Sequence, residues 1–104
     1  MVKYRVDISE SAEADLRDIV RYSSAQLSVP VTAMKMMEAI EEALSKLSDM
    51  PHGYPLLRDD RLASMGYRCV DVKNYSTFFT INEKEKVVDV ERILYARRDW
   101  ANLL

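Results

Sequence analysis

The sequence predicts an α+β domain in which a helical hairpin packs on one face of a curved, mainly antiparallel four-stranded sheet, in the order β-α-α-β-β-β. Apolar and polar residues alternate over the first eight positions, and two neighbouring stretches then repeat their apolar residues every three or four. The last third holds three β-rich runs separated by gaps of hairpin length.

Val2, Tyr4, Val6 and Ile8 alternate with Lys3, Arg5 and Asp7, the pattern of a half-buried first strand. Ser9 is placed to cap the first helix, with Glu10 and Glu13 near the positive end of its dipole. Ala12, Leu16, Ile19, Val20, Ser23 and Leu27 form its apolar stripe, and Asp15, Arg17, Asp18 and Arg21 its charged face. Ser28-Val29-Pro30 ends that helix and opens the next, so the two form an antiparallel hairpin. Ala33, Met37, Ile40, Leu44 and Leu47 make the second stripe, widened by Met36, Ala39 and Ala43. Met34, Met36 and Met37 suit either core filling or an adaptable partner surface.

Two prolines and a glycine in Asp49-Met50-Pro51-His52-Gly53-Tyr54-Pro55 end the second helix near Asp49. The charged segment Arg58-Asp59-Asp60-Arg61 continues the loop, with no regular element expected. Strands follow at Tyr67 to Val72, Thr77 to Ile81 and Val87 to Tyr95, giving an antiparallel meander. Trp100, Leu103 and Leu104 tuck the tail against the body. With one face of the sheet under the helices, the other is expected to be free and to carry the site.

A length of 104 residues fits one domain, 1–104, and 48% hydrophobic with 31% charged residues fits a globular chain rather than a disordered one. No apolar run approaches the ~18 residues of a membrane span, and Met1-Val2-Lys3-Tyr4-Arg5 lacks a signal-peptide block, so a cytoplasmic location is expected. A lone cysteine, Cys69, excludes an internal disulfide, and His52 finds no metal-ligand spacing, so no metal or cofactor is expected. His52 reads as a solvated loop residue. The net charge of −2 argues against a wholly basic, nucleic-acid-coating surface. Arginine is nonetheless concentrated in the second half, at Arg58, Arg61, Arg68, Arg92, Arg97 and Arg98.

Arg68 in the second strand and Arg92 in the fourth admit two readings. On the free face their guanidinium groups converge and bind phosphate, stabilising phosphoryl charge without a metal. Otherwise they pair with Asp71, Asp89 or Glu91 on the sheet surface. Periodicity alone leaves both readings open, because any β-bulge would shift the alternation of faces. Tyr95 either donates a proton, stacks on a base, or packs at the strand's end.

The pattern as a whole resembles the RelE/ParE superfamily of bacterial type II toxins. The resemblance runs through Tyr4-Arg5-Val6-Asp7-Ile8, Ala12-Glu13-Ala14-Asp15-Leu16, Ile19-Val20-Arg21-Tyr22, Pro51, Gly66-Tyr67-Arg68, Val72-Lys73-Asn74-Tyr75 and Arg92-Ile93-Leu94-Tyr95-Ala96-Arg97-Arg98-Asp99. It implies a toxin neutralised by a cognate antitoxin encoded beside it. One branch of the superfamily enters the ribosome and cleaves mRNA by attack of the 2′-hydroxyl on the adjacent phosphate; another, ParE-like, inhibits DNA gyrase. The leading expectation is the mRNA endoribonuclease, with Arg68 on the scissile phosphate, Arg92 offsetting transition-state charge and Tyr95 orienting or stacking. Arg58, Arg61, Lys73, Arg97 and Arg98 are the expected nucleic-acid contacts. The alternatives are the gyrase inhibitor and an inactive binding protein of the same fold.

Overall fold

The computed structural model describes residues 3–27, 30–96 and 100–104. The elements are β1 (Arg5–Ile8), α1 (Glu10–Leu27), α2 (Pro30–Asp49), α3 (Asp60–Ser64), β2 (Arg68–Val72), β3 (Tyr75–Asn82) and β4 (Val87–Tyr95), with 3-10 turns at Pro51–Gly53 and Trp100–Asn102. The sheet order is β1-β4-β3-β2, β1 running parallel to β4 and the other pairs antiparallel. The predicted α+β architecture is present, with α3 added to it.

Strand β1 begins at Arg5 because the residue before it is tied elsewhere. The Tyr4 amide donates to the Ser48 carbonyl at 2.9 Å, and the Ser48 hydroxyl donates back to the Tyr4 carbonyl at 2.8 Å. Ser9 caps α1 as expected, its Oγ accepting from the Ala12 amide at 3.0 Å. Val2, Ser28 and Val29 lie outside the described residues.

The inner faces of α1 and α2 bury Ala12, Ile19, Ile40, Leu44 and Leu47 against Val70, Val72, Phe79, Val88, Val90 and Ile93 of the sheet. Burying each large aliphatic or aromatic side chain is worth about 1.5–3 kcal/mol, so this layer supplies most of the driving force. Of the methionines, Met36 packs against this core as expected of core filler, Met37 is half-buried and Met34 is 62% exposed.

Three departures from the sequence reading shape the rest of the molecule. First, Lys73-Asn74 alone makes the β2–β3 turn, with Lys73 at φ 57°, so Tyr75 and Ser76 belong to β3. Second, Asp59 and Asp60 start a helix instead of prolonging the loop. The Asp59 carboxylate accepts from the Leu62 amide at 3.0 Å, and the single turn that follows drives Leu62 into full burial. Asp59→Ala is expected to cost about 1 kcal/mol in urea denaturation, and Asp59→Asn to restore most of it, since asparagine caps as well as aspartate.

Third, β3 and β4 slip register between Phe78 and Phe79. Phe78 lies opposite Arg92 but Phe79 lies opposite Val90, leaving Glu91 as an extra residue on β4. Before the slip the even-numbered Val88 and Val90 face the helices; after it the odd-numbered Ile93 does. Leu94, which simple alternation groups with Val88 and Val90, is thereby carried to the other side of the sheet.

That second side is not bare. Leu62, Tyr67, Phe78 and Leu94 form a second core there, with Leu57, Cys69, Trp100, Leu103 and Leu104 packed on it. The tail is held as the sequence predicts, Trp100 lying 5.4 Å from Phe78 between ring centroids.

Candidate functional site

The two arginines expected to meet are placed apart. Arg68 is paired with Phe79, a helix-side residue, on the edge strand β2. Its Nη1 donates to the carbonyl of Tyr54 in the segment that follows α2. Arg92 is paired with Phe78, which belongs to the second core, so the bulge at Glu91 starts the two side chains from opposite faces of the sheet, and β3 lies between their strands. The convergent arrangement that a phosphate site requires is therefore not formed, and neither is the surface pairing with Asp71, Asp89 or Glu91.

Arg92 serves the fold instead. Beyond the end of β1 the outer edge of β4 has no strand beside it among the described residues, and its backbone groups need other partners. Ser9 supplies the first, its amide donating to the Val90 carbonyl at 3.0 Å and its hydroxyl to the Glu91 carbonyl at 2.8 Å. Asp15 supplies the next, accepting from the Ile93 amide at 2.9 Å. The same carboxylate takes Arg92 Nε at 2.8 Å and Nη2 at 3.0 Å in a bidentate fork. Arg92 Nη1 also donates to the Leu103 carbonyl at 3.4 Å, tying the tail to the same point. The pair is largely enclosed, with side-chain exposures of 26% for Arg92 and 12% for Asp15. Hydrogen bonding to Asp15 raises the Arg92 pKa, so this guanidinium is a fixed charge. Asp15, assigned by periodicity to a solvated face, is turned inward by this edge.

Tyr95 lies at the far end of β4, opposite Tyr75, with ring centroids 5.8 Å apart and edge-on. It is 41% exposed and opens onto a cavity of about 140 Å³ whose walls include Tyr22, Tyr75, Asp15 and Asp18. Burial raises the Tyr75 pKa, assisted by the phenols of Tyr22 and Tyr95. Tyr22 and Tyr75 escaped the sequence reading because only the fold brings α1, β3 and β4 together there.

The open part of the second face is a groove of about 560 Å³ lined by Tyr67, Thr80, Asn82, Glu83, Asp89 and Glu91 among others. Its three carboxylates give it the wrong sign for a phosphate. Glu83 carries the Lys86 ammonium at 2.7 Å and the Tyr4 hydroxyl at 3.0 Å, and Lys86 chiefly lowers its pKa. His52 is exposed as expected, with its Nε2 against Glu83.

Among the remaining expected cations, Arg58, Arg61 and Lys73 are exposed, on the segment before α3, on α3 and on the β2–β3 turn respectively. Arg97 and Arg98 lie outside the described residues. Cys69 is half-buried, its thiol pushed up to about 11 chiefly by burial, and is a poor nucleophile near neutral pH.

Residues 6–100 match the sequence profile of the ParE toxin of the type II toxin-antitoxin system parDE. No curated protein sequence matches the chain. Among solved structures the fold is similar to the chromosomal ParDE toxin-antitoxin system from P. aeruginosa, with a TM-score of 0.74 at 19% identity over 93% of this chain and 100% of that one. It is also similar to the RelBE2 toxin-antitoxin complex from Mycobacterium tuberculosis, with a TM-score of 0.64 at 20% identity over 90% of this chain and 99% of that one.

Proposed function

The chain belongs to the ParE toxin family of type II toxin-antitoxin systems, and on that premise we propose that it arrests growth by binding its target, DNA gyrase, and not by cleaving mRNA. The observation that supports this reading is the separation of Arg68 and Arg92. Metal-free phosphoryl chemistry needs cationic donors aimed together at the charge that develops in the transition state. Here one guanidinium is committed to the Asp15 carboxylate beside β4 and the other to a loop carbonyl beside the edge strand β2, with β3 between the two strands.

In this reading Tyr95 is a contact residue and not a proton donor. Arg58, Arg61 and Lys73, with Arg97 and Arg98, supply local positive charge where gyrase presents its bound DNA, positioning the toxin on phosphates without reading sequence. A cognate antitoxin holds the toxin inactive in the cytoplasm, a reading supported by the toxin-antitoxin systems among the similar structures.

Two measurements made together test the proposal. Purified toxin in molar excess over gyrase is expected to abolish supercoiling, and induction in a bacterium is expected to create no new mRNA 5′ ends at fixed codon positions. Intact supercoiling alongside new codon-positioned ends would restore the nuclease.

A further inference from the structure

We propose that the cavity between α1 and the ends of β3 and β4, walled by Tyr22, Tyr75 and Tyr95 and flanked by Asp18, receives an arginine side chain from a protein partner. The inference is independent of whether gyrase or mRNA is the target.

The first ground is the aromatic content of the walls. Two of the three rings are unusually open, Tyr22 at 60% and Tyr95 at 41%, although a phenol ring gains by being covered. Tyr75 stands edge-on to Tyr95, so the rings present faces in different directions to the same cavity. Aromatic faces carry the negative part of the ring quadrupole and attract a cation set over them.

The second ground is charge. Asp18 and Asp15 both border the cavity, Asp15 already offset by Arg92 so that Asp18 carries the charge, and among the described residues none of its lining is basic. Asp18 pairs with Arg21 at 3.7 Å, with both side chains about three-quarters exposed, which is a weak pair that a better-placed cation displaces. Carboxylates and ring faces together repel a phosphate, which disfavours a nucleic-acid backbone here.

The third ground is size and shape. The space of about 140 Å³ is several times the ~30 Å³ share of one water in the liquid, enough for a planar head group but not for a helix. A guanidinium stacks on tyrosine and forks to a carboxylate at once, which an ammonium does not. The Arg92 fork on Asp15 shows the carboxylate half of that geometry already formed next to the cavity.

The test is an NMR titration of ring-labelled protein with a short diarginine peptide, a diglutamate peptide of equal length and tetra-uridylate. The diarginine peptide is expected to shift the ring signals of Tyr22, Tyr75 and Tyr95 while the other two leave them in place. Tyr22→Leu and Tyr95→Leu should each weaken that binding roughly two- to fivefold, and Tyr22→Phe should preserve it because the ring face remains. Tyr22 is exposed enough that its replacement leaves the fold intact, which circular dichroism verifies. The proposal is overturned if the leucine variants bind equally well, if the shifts gather at Asp89 and Glu91, or if tetra-uridylate moves the rings more. It is overturned equally if binding appears only after Arg97→Ser and Arg98→Ser, which would assign the cavity to the chain's own arginines.

Discussion

Replacing Asp15 with alanine is expected to destabilise the protein by about 3 kcal/mol. One carboxylate accepts from the Ile93 amide and from two nitrogens of Arg92. Its removal leaves the strand-edge amide without its partner and a mostly enclosed guanidinium with only its long bond to the Leu103 carbonyl, and the cost of unpaired groups exceeds the net value of the bonds themselves. Arg92→Ala should cost less, about 1–2 kcal/mol, because Asp15 keeps the Ile93 amide and stays hydrogen-bonded. Urea denaturation of both variants checks the order, and Arg92→Ala costing more than Asp15→Ala would refute this account. Where folded, Arg92→Ala protein is expected to inhibit gyrase as well as the parent, an outcome incompatible with a catalytic arginine.

Phe78→Ala should be more damaging still, at about 3–5 kcal/mol, the range for emptying a fully buried aromatic position. The ring is 1% exposed and is shared among Leu62, Tyr67, Leu94 and the tail. A typical domain has only about 5–15 kcal/mol in total, so the variant retains a small margin. The loss has its own spectroscopic marker. Trp100 rests 5.4 Å from this ring, so its emission is expected to move to longer wavelength before global unfolding begins. Coincident loss of tryptophan burial and helicity would mean that the tail has no separate docking step.

The framework was legible because each element announces itself through spacing. Ser9 as a cap, the stripes on α1 and α2, and the β-rich runs at β2, β3 and β4 all follow from period and punctuation. The α3 turn was overlooked although Asp59 three residues ahead of Leu62 is a capping signal; a five-residue helix has no room to show periodicity. The site was less readable for a sharper reason. One additional residue at Glu91 exchanges the two sides of β4, so Arg92 and Leu94 point where simple alternation places neither. Asp15 reads as a solvated residue in the sequence because its partner, the edge of β4, exists only in the assembled sheet. The tyrosine cavity was hidden likewise, since Tyr22, Tyr75 and Tyr95 come from three elements.

The parallel pairing of β1 with β4 also governs when the molecule comes into being. Arg5 meets Val87 across nearly the whole intervening chain, and such a distant closure is slow to form. During synthesis β1 has no strand to join, and the two long helices have no finished sheet to cover, until β4 has been made. A nascent or prematurely ended chain therefore displays greasy helix surfaces to chaperones and proteases, and offers the cell no half-strength poison.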